Sequence, residues 1–134
     1  MTTLGSLALA GLVLLASGCG GEKAANVDLN AQLTALSGDS DAKINALAEI
    51  SKLGAAAASA VPKITPLLKD EDDVVRRTAA FTLGAIGPAA KSAVPDLKEM
   101  LKTTDRDQLT AVGNALQAID PKAVDGLKIQ NVSN

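Results

Sequence analysis

Few side chains in this 134-residue sequence could carry chemistry. Cysteine occurs once, at Cys19, and histidine is absent. Without an imidazole, neither a Cys–His pair nor a Ser–His–Asp triad can be assembled, and a typical zinc site lacks its ligands. Carboxylates remain. Asp39, Asp41, Asp70, Glu71, Asp72, Asp73, Asp105 and Asp107 gather where helices are predicted to begin, and stacking those helices would align them into an acidic ridge. Such a ridge could attract calcium, which accepts oxygen ligands in flexible geometry. No stretch has the spacing of a calcium loop, however, and aspartate at a helix start is accounted for by capping and the helix dipole. No catalytic residue, metal or cofactor is therefore expected.

Cys19 stands directly behind an apolar run, Leu4 to Leu15, and ahead of Gly20 and Gly21. That run has the length of a signal-peptide core and falls short of the ~20 residues needed to span a bilayer, so residues 1–18 read as a targeting segment. Its end, Ala16-Ser17-Gly18-Cys19, resembles the lipobox of bacterial lipoproteins. The resemblance implies that the Cys19 thiol receives a diacylglyceryl group and that the chain is cut just before it. One feature departs from the pattern: no charged side chain occurs from Met1 to Cys19, so either export is weak or the true start lies upstream. Gly20, where many lipoproteins kept at the inner membrane carry Asp, implies an outer-membrane anchor facing the periplasm. Residues 19–26 then form the lipidated cysteine and a tether reaching roughly 20 Å, at about 3.3 Å per residue.

The folded part is expected over 27–134, beginning with a cap helix at 27–37 whose Leu29, Leu33 and Leu36 share a face. A step of 33 positions then carries Gly54, Ser59, Ala60, Val61, Pro62, Leu68 and Lys69 onto Gly87, Ser92, Ala93, Val94, Pro95, Leu101 and Lys102. The same step puts Asp105 on Asp72, Leu116 on Leu83 and Pro121 on Pro88. Three helix-pair units follow, at 39–70, 72–103 and 105–129. In the first, Ile44, Leu47, Ile50 and Leu53 line one face, Gly54 closes the helix in the left-handed conformation, and Pro66 predicts a bend or late start in the helix entered at Pro62. In the second, Asp72 caps a helix with Val75, Ala79, Leu83 and Ile86 inward, and Val94, Leu97 and Leu101 are the inward set of its partner. Phe81, the only aromatic residue, is expected to pack in the core or between units. The third keeps Val112, Leu116 and Ile119 but loses the A-V-P element, and its second helix is expected to fail near Gly126.

The string VRRTAAFTLGAIGPAAKSAVPDLKEMLK, residues 75–102, resembles a HEAT repeat of the short type also found in phycobilisome lyase subunits, through its V-R, A-A, L-G-x-I-G and A-V-P-x-L elements. The ankyrin T-P-L-H and tetratricopeptide W-L-G-Y signatures are absent. The resemblance implies an all-α fold, a short right-handed solenoid of stacked antiparallel helix pairs. Its second helices would line a concave surface bearing Lys63, Lys69, Asp96, Lys98, Glu99, Lys102 and Lys128. Those charges are mixed, which suits a protein or peptide partner rather than a polyanion. A net charge of −2, with no Trp or Tyr to stack bases, speaks against nucleic acid. The expected function is a membrane-anchored, non-enzymatic adaptor. The alternatives are a structural protein that self-associates through an open third unit, and a bilin-lyase-like subunit.

Overall fold

The computed structural model describes residues 27–125, and among them every regular element is helical. Helix α1 spans Leu29–Ala35, α2 Ser40–Leu53, α3 Val61–Ile64, α4 Asp73–Ile86, α5 Val94–Met100 and α6 Arg106–Ile119. Tighter 3-10 segments at Gly54–Ala60, Thr65–Lys69, Gly87–Ala93 and Pro121–Val124 link them. Helices α2, α4 and α6 are each 14 residues long and begin at Ser40, Asp73 and Arg106, in step with the repeat. They lie side by side as one row with α4 in the middle, and the segments 54–69 and 87–100 pack together as a second row. The chain is an all-α solenoid.

The repeat places its starting signals on aspartate. Asp39 accepts from the Ala42 N–H at 2.9 Å, Asp72 from Val74 at 2.8 Å, and Asp105 from Asp107 at 2.9 Å. Each bond satisfies an N–H that the first helical turn cannot pair internally. The corners are set by glycine. Gly54 and Gly87 have φ of 53° and 75° with ψ of −134° and −144°, so the chain turns through a region open essentially to glycine, not the left-handed helical well expected for Gly54. The third corner has Asp120 instead. Its backbone is extended, and its carboxylate caps the Pro121–Val124 turn through the Lys122 N–H at 3.1 Å.

The core runs between the two rows. Leu47, Ile50, Ile64, Leu68, Val75, Leu83, Ile86, Leu97, Val112 and Leu116 are fully buried. Several expectations need correction. Phe81 is 64% exposed and Val74 41% exposed, because α4 turns the stripe 75/79/83/86 inward and leaves 74 and 81 on its exposed flank. Ile44, Leu53, Val94 and Leu101 are only partly buried, while Met100 takes a core place. Pro66 acts as anticipated: α3 stops at Ile64 and the chain continues as 3-10 helix, since proline has no N–H to continue the α-ladder. The alanine corner 55–58 is likewise 3-10 helix. In the third unit the second segment opens with a 3-10 turn, Pro121–Val124, and the expected failure near Gly126 lies outside the described residues.

Candidate interaction surface

Of the charged residues expected on the second row, Lys128 lies outside the described residues, as does Cys19. Four of the others, Lys69, Asp96, Glu99 and Lys102, are brought together. Lys69, at the end of the first unit, reaches Asp96 Oδ1 at 3.0 Å and Glu99 Oε2 at 3.5 Å in the second, and Lys102 approaches Glu99 at 3.9 Å. The hydrogen bond to Asp96 holds the Lys69 amine above its ordinary pKa. Lys63 and Lys98 are exposed and make no ion pair among the described residues. Pro62, Thr65, Pro66, Lys69, Ser92 and Asp96 line a shallow, open groove between the units. Ion pairs this exposed contribute little to stability, so the row presents alternating charge at small energetic cost.

The acidic ridge resolves differently. Asp39, Asp72 and Asp105 are engaged as caps, and Arg77 ties Asp73 at 3.0 Å to Asp107 at 3.2 Å. Asp70 is half of a buried-edge pair with Lys43 Nζ, 2.7 Å away, and also accepts from the Asp72 N–H at 3.1 Å. The Lys43 hydrogen bond, with that N–H, holds the Asp70 carboxyl below the usual carboxylate range. The Ser40 hydroxyl and then the Val74 N–H do the same for Asp72. Among the described residues no group of three or more ligating side chains is arranged to hold a metal.

Three further polar residues join the units. Arg76, the repeat counterpart of Lys43, donates to the carbonyls of Asp70 at 2.6 Å and Glu71 at 2.9 Å and reaches Gln108 Oε1 at 3.4 Å. Gln108, buried where the repeat would put valine, donates onward to the Met100 carbonyl at 3.3 Å. Thr82, fully buried, shares its hydroxyl proton between the Leu47 carbonyl of α2 at 3.1 Å and its own Thr78 carbonyl at 2.8 Å. The 33-residue step already pointed to the first of these: a basic side chain repeats at 43 and 76. Nothing in the sequence marks Thr82 or Gln108 as buried.

On the opposite row, Phe81, Gly84 and Ala85 of α4 face Ala111, Asn114, Ala115 and Ala118 of α6 across an apolar groove of about 290 Å³. Its floor exists because the two helices nearly touch: a Cβ at Gly84 would come 3.0 Å from the Ala115 Cα. The exposed residues of α6 are Arg106, Asp107, Thr110, Asn114, Gln117 and Ala118.

Comparison with curated proteins and with solved structures gives no match. A family model described as HEAT repeats matches residues 28–127, with nothing that singles out the lyase-like type. That match covers most of the chain and coincides with paired helical segments repeating every 33 positions, so the chain belongs to the HEAT-repeat family.

Proposed function

We propose that this chain is a non-enzymatic adaptor, anchored in the bacterial envelope through a lipid on Cys19, that binds a protein or peptide partner through its second row. HEAT repeats commonly serve as protein-interaction modules or scaffolds. The observation that carries the reading is the division of labour among the charges. Asp39, Asp70, Asp72, Asp73, Asp105 and Asp107, at the starts of the first helices, are engaged in caps and pairs, whereas on the second row Lys63 and Lys98 are exposed and in no ion pair among the described residues, and Glu99 and Lys102 are exposed and only loosely paired, near a groove lined by Lys69 and Asp96. Complementary mixed charge favours specificity for a folded partner. The address rests on Ala16-Ser17-Gly18-Cys19 behind the apolar run, and Gly20 favours the outer membrane facing the periplasm. No helix among the described residues is long and apolar enough to cross a membrane, so an anchor of this kind would be what holds the repeats there.

Crosslinking and pull-down of the full chain from bacterial membranes tests the adaptor reading. One stoichiometric partner, lost when Lys63→Glu and Lys98→Glu are combined, is expected; a partner retained at full yield by that variant would refute the second row as the contact. The address is tested separately by metabolic labelling with an alkyne palmitate analogue. Label is expected on the wild-type chain and not on Cys19→Ser, because the thiol is the acyl acceptor. Equal labelling of both ends the lipoprotein reading.

A further inference from the structure

We infer that the partner of the second row is an acidic peptide segment, laid across the groove between the first two units with carboxylates meeting Lys63 on one side and Lys98 on the other; this rests on the proposal that the second row is the contact surface. Charge divides between the rows. Residues 28–53, 70–86 and 103–120, which hold the cap helix, the first helices and the links to them, carry eleven carboxylates against five basic side chains. Segments 54–69 and 87–102, which form the second row, carry two carboxylates against five lysines. A chain of net charge −2 thus has one basic row and one acidic row. Ion pairing sharpens the division. Both carboxylates of the second row are engaged by lysines of that row, Asp96 by Lys69 at 3.0 Å and Glu99 by Lys69 at 3.5 Å and Lys102 at 3.9 Å. Lys91 is held by Asp120 at 3.5 Å. Lys63 and Lys98 stay exposed and in no ion pair among the described residues.

The placement of these two lysines follows from the repeat. Asp96 reaches back to Lys69, so position 96 is on the flank of α5 that faces the first unit. Leu97 is buried in the core, which puts position 98 on the other flank. Lys63 stands 33 positions before Asp96, beside buried Ile64 as Asp96 stands beside Leu97, and so takes the flank of α3 turned away from the second unit. One unpaired lysine therefore lies to each side of the groove lined by Pro62, Thr65, Pro66, Lys69, Ser92 and Asp96. Two helices side by side are about 20 Å across, the reach of about six extended residues. A segment of that length with carboxylates near both ends meets both lysines while its middle passes the neutralised Lys69–Asp96 pair. The acidic first row repels such a partner and steers it to the second. A bilayer surface fits less well, because interfacial contact buries apolar side chains beside its cations, and the two exposed large apolar side chains among the described residues, Val74 and Phe81, are both on the other row. Nucleic acid fits no better: the second row has no arginine to grip phosphate bidentately and no aromatic ring to stack bases.

The test uses the full chain purified in mild detergent and a fluorescein-labelled peptide of alternating Glu and Ser, followed by fluorescence anisotropy at low salt, where the Debye length is ~30 Å at 0.01 M. Binding is expected, weakening as salt is raised, and the matching peptide of Gln and Ser should not bind. Lys63→Glu combined with Lys98→Glu should weaken binding by about tenfold or more, whereas Lys63→Arg combined with Lys98→Arg should retain it. Lys52→Glu combined with Arg106→Glu makes the same charge change on the first row and should leave binding nearly unchanged. Far-UV circular dichroism should show each variant folded, since all four side chains are exposed. Equal binding of the Gln peptide, or an equal loss in the first-row variant, would overturn the inference. So would displacement of the peptide by phosphatidylglycerol vesicles and not by phosphatidylcholine vesicles, or tighter binding of a single-stranded oligonucleotide. The two readings fail separately: if no partner is captured from membranes the adaptor reading falls, whereas a captured partner with no binding of the acidic peptide overturns only this one.

Discussion

Two residues apart on α4, Leu83 and Phe81 should respond to truncation in opposite proportion to their size. Leu83 is fully buried where α4 meets both rows. Leu83→Ala removes three carbons at about 0.8 kcal/mol each, and incomplete collapse of the site adds a cavity contribution, giving a loss of roughly 3–4 kcal/mol. Phe81 keeps 64% of its surface in water. Full burial of a Phe would remove 150–250 Å², so the covered third corresponds to roughly 50–80 Å², or about 1–2 kcal/mol at 25 cal/mol/Å². Alanine's better helix propensity returns about 0.5 kcal/mol, leaving a net cost near 1 kcal/mol or less. Urea unfolding followed by far-UV circular dichroism measures both, since the chain has no Trp or Tyr for fluorescence. Because the middle helix serves both neighbours, Leu83→Ala should unfold the array as a whole. If Phe81→Ala cost as much as Leu83→Ala, α4 would have to be rotated about its axis, and the core described above would fail.

Gly87→Ala should lose roughly 1–3 kcal/mol from backbone strain alone, because φ is 75° and no atom crowds the new methyl; a neutral result would mean the corner is not held in that conformation. Asp105→Ala should cost about 0.5–2 kcal/mol by leaving the Asp107 and Gln108 N–H groups uncapped, and calcium should not shift the melting temperature of the wild type. A calcium-dependent rise of several degrees would show that the ridge carboxylates do more than cap and pair. The depressed pKa of Asp70 makes its contribution present above the ordinary Asp pKa and lost as pH falls through the lower folded value. Lys43→Met should therefore flatten the decline of stability as pH falls below the ordinary Asp pKa, and an unchanged acid limb would exclude the Lys43–Asp70 pair as its source.

Much of the array could be read before any coordinates. The step from Gly54 to Gly87 carried a conformational demand as well as a pattern, since both corners use backbone angles that other residues avoid. Asp39, Asp72 and Asp105 marked helix starts because a capping bond is local, spanning two or three residues. Pro66 announced the break after α3 for the same reason: the missing N–H acts within one turn. The candidate surface was legible as a set of residues, Lys63 to Lys102, but not as a set of partners. That Lys69 bridges to Asp96 and Glu99 depends on how closely the second segments stack.

Local rules are therefore what the sequence determined by itself: the helical class, the period, the caps, the positions of the two glycine corners and the inward stripe 75/79/83/86 of α4. Tertiary structure decided the rest. A helix stripe shows which side is most apolar, yet whether the flank beside it is covered depends on the rotation and spacing of neighbouring helices. Thus Phe81 and Val74, on the flank of a well-predicted stripe, stand in water, while Thr82 next to them is fully buried with its hydroxyl on a carbonyl of α2. The close approach of Gly84 to Ala115 sets that geometry between α4 and α6, and no periodicity records it.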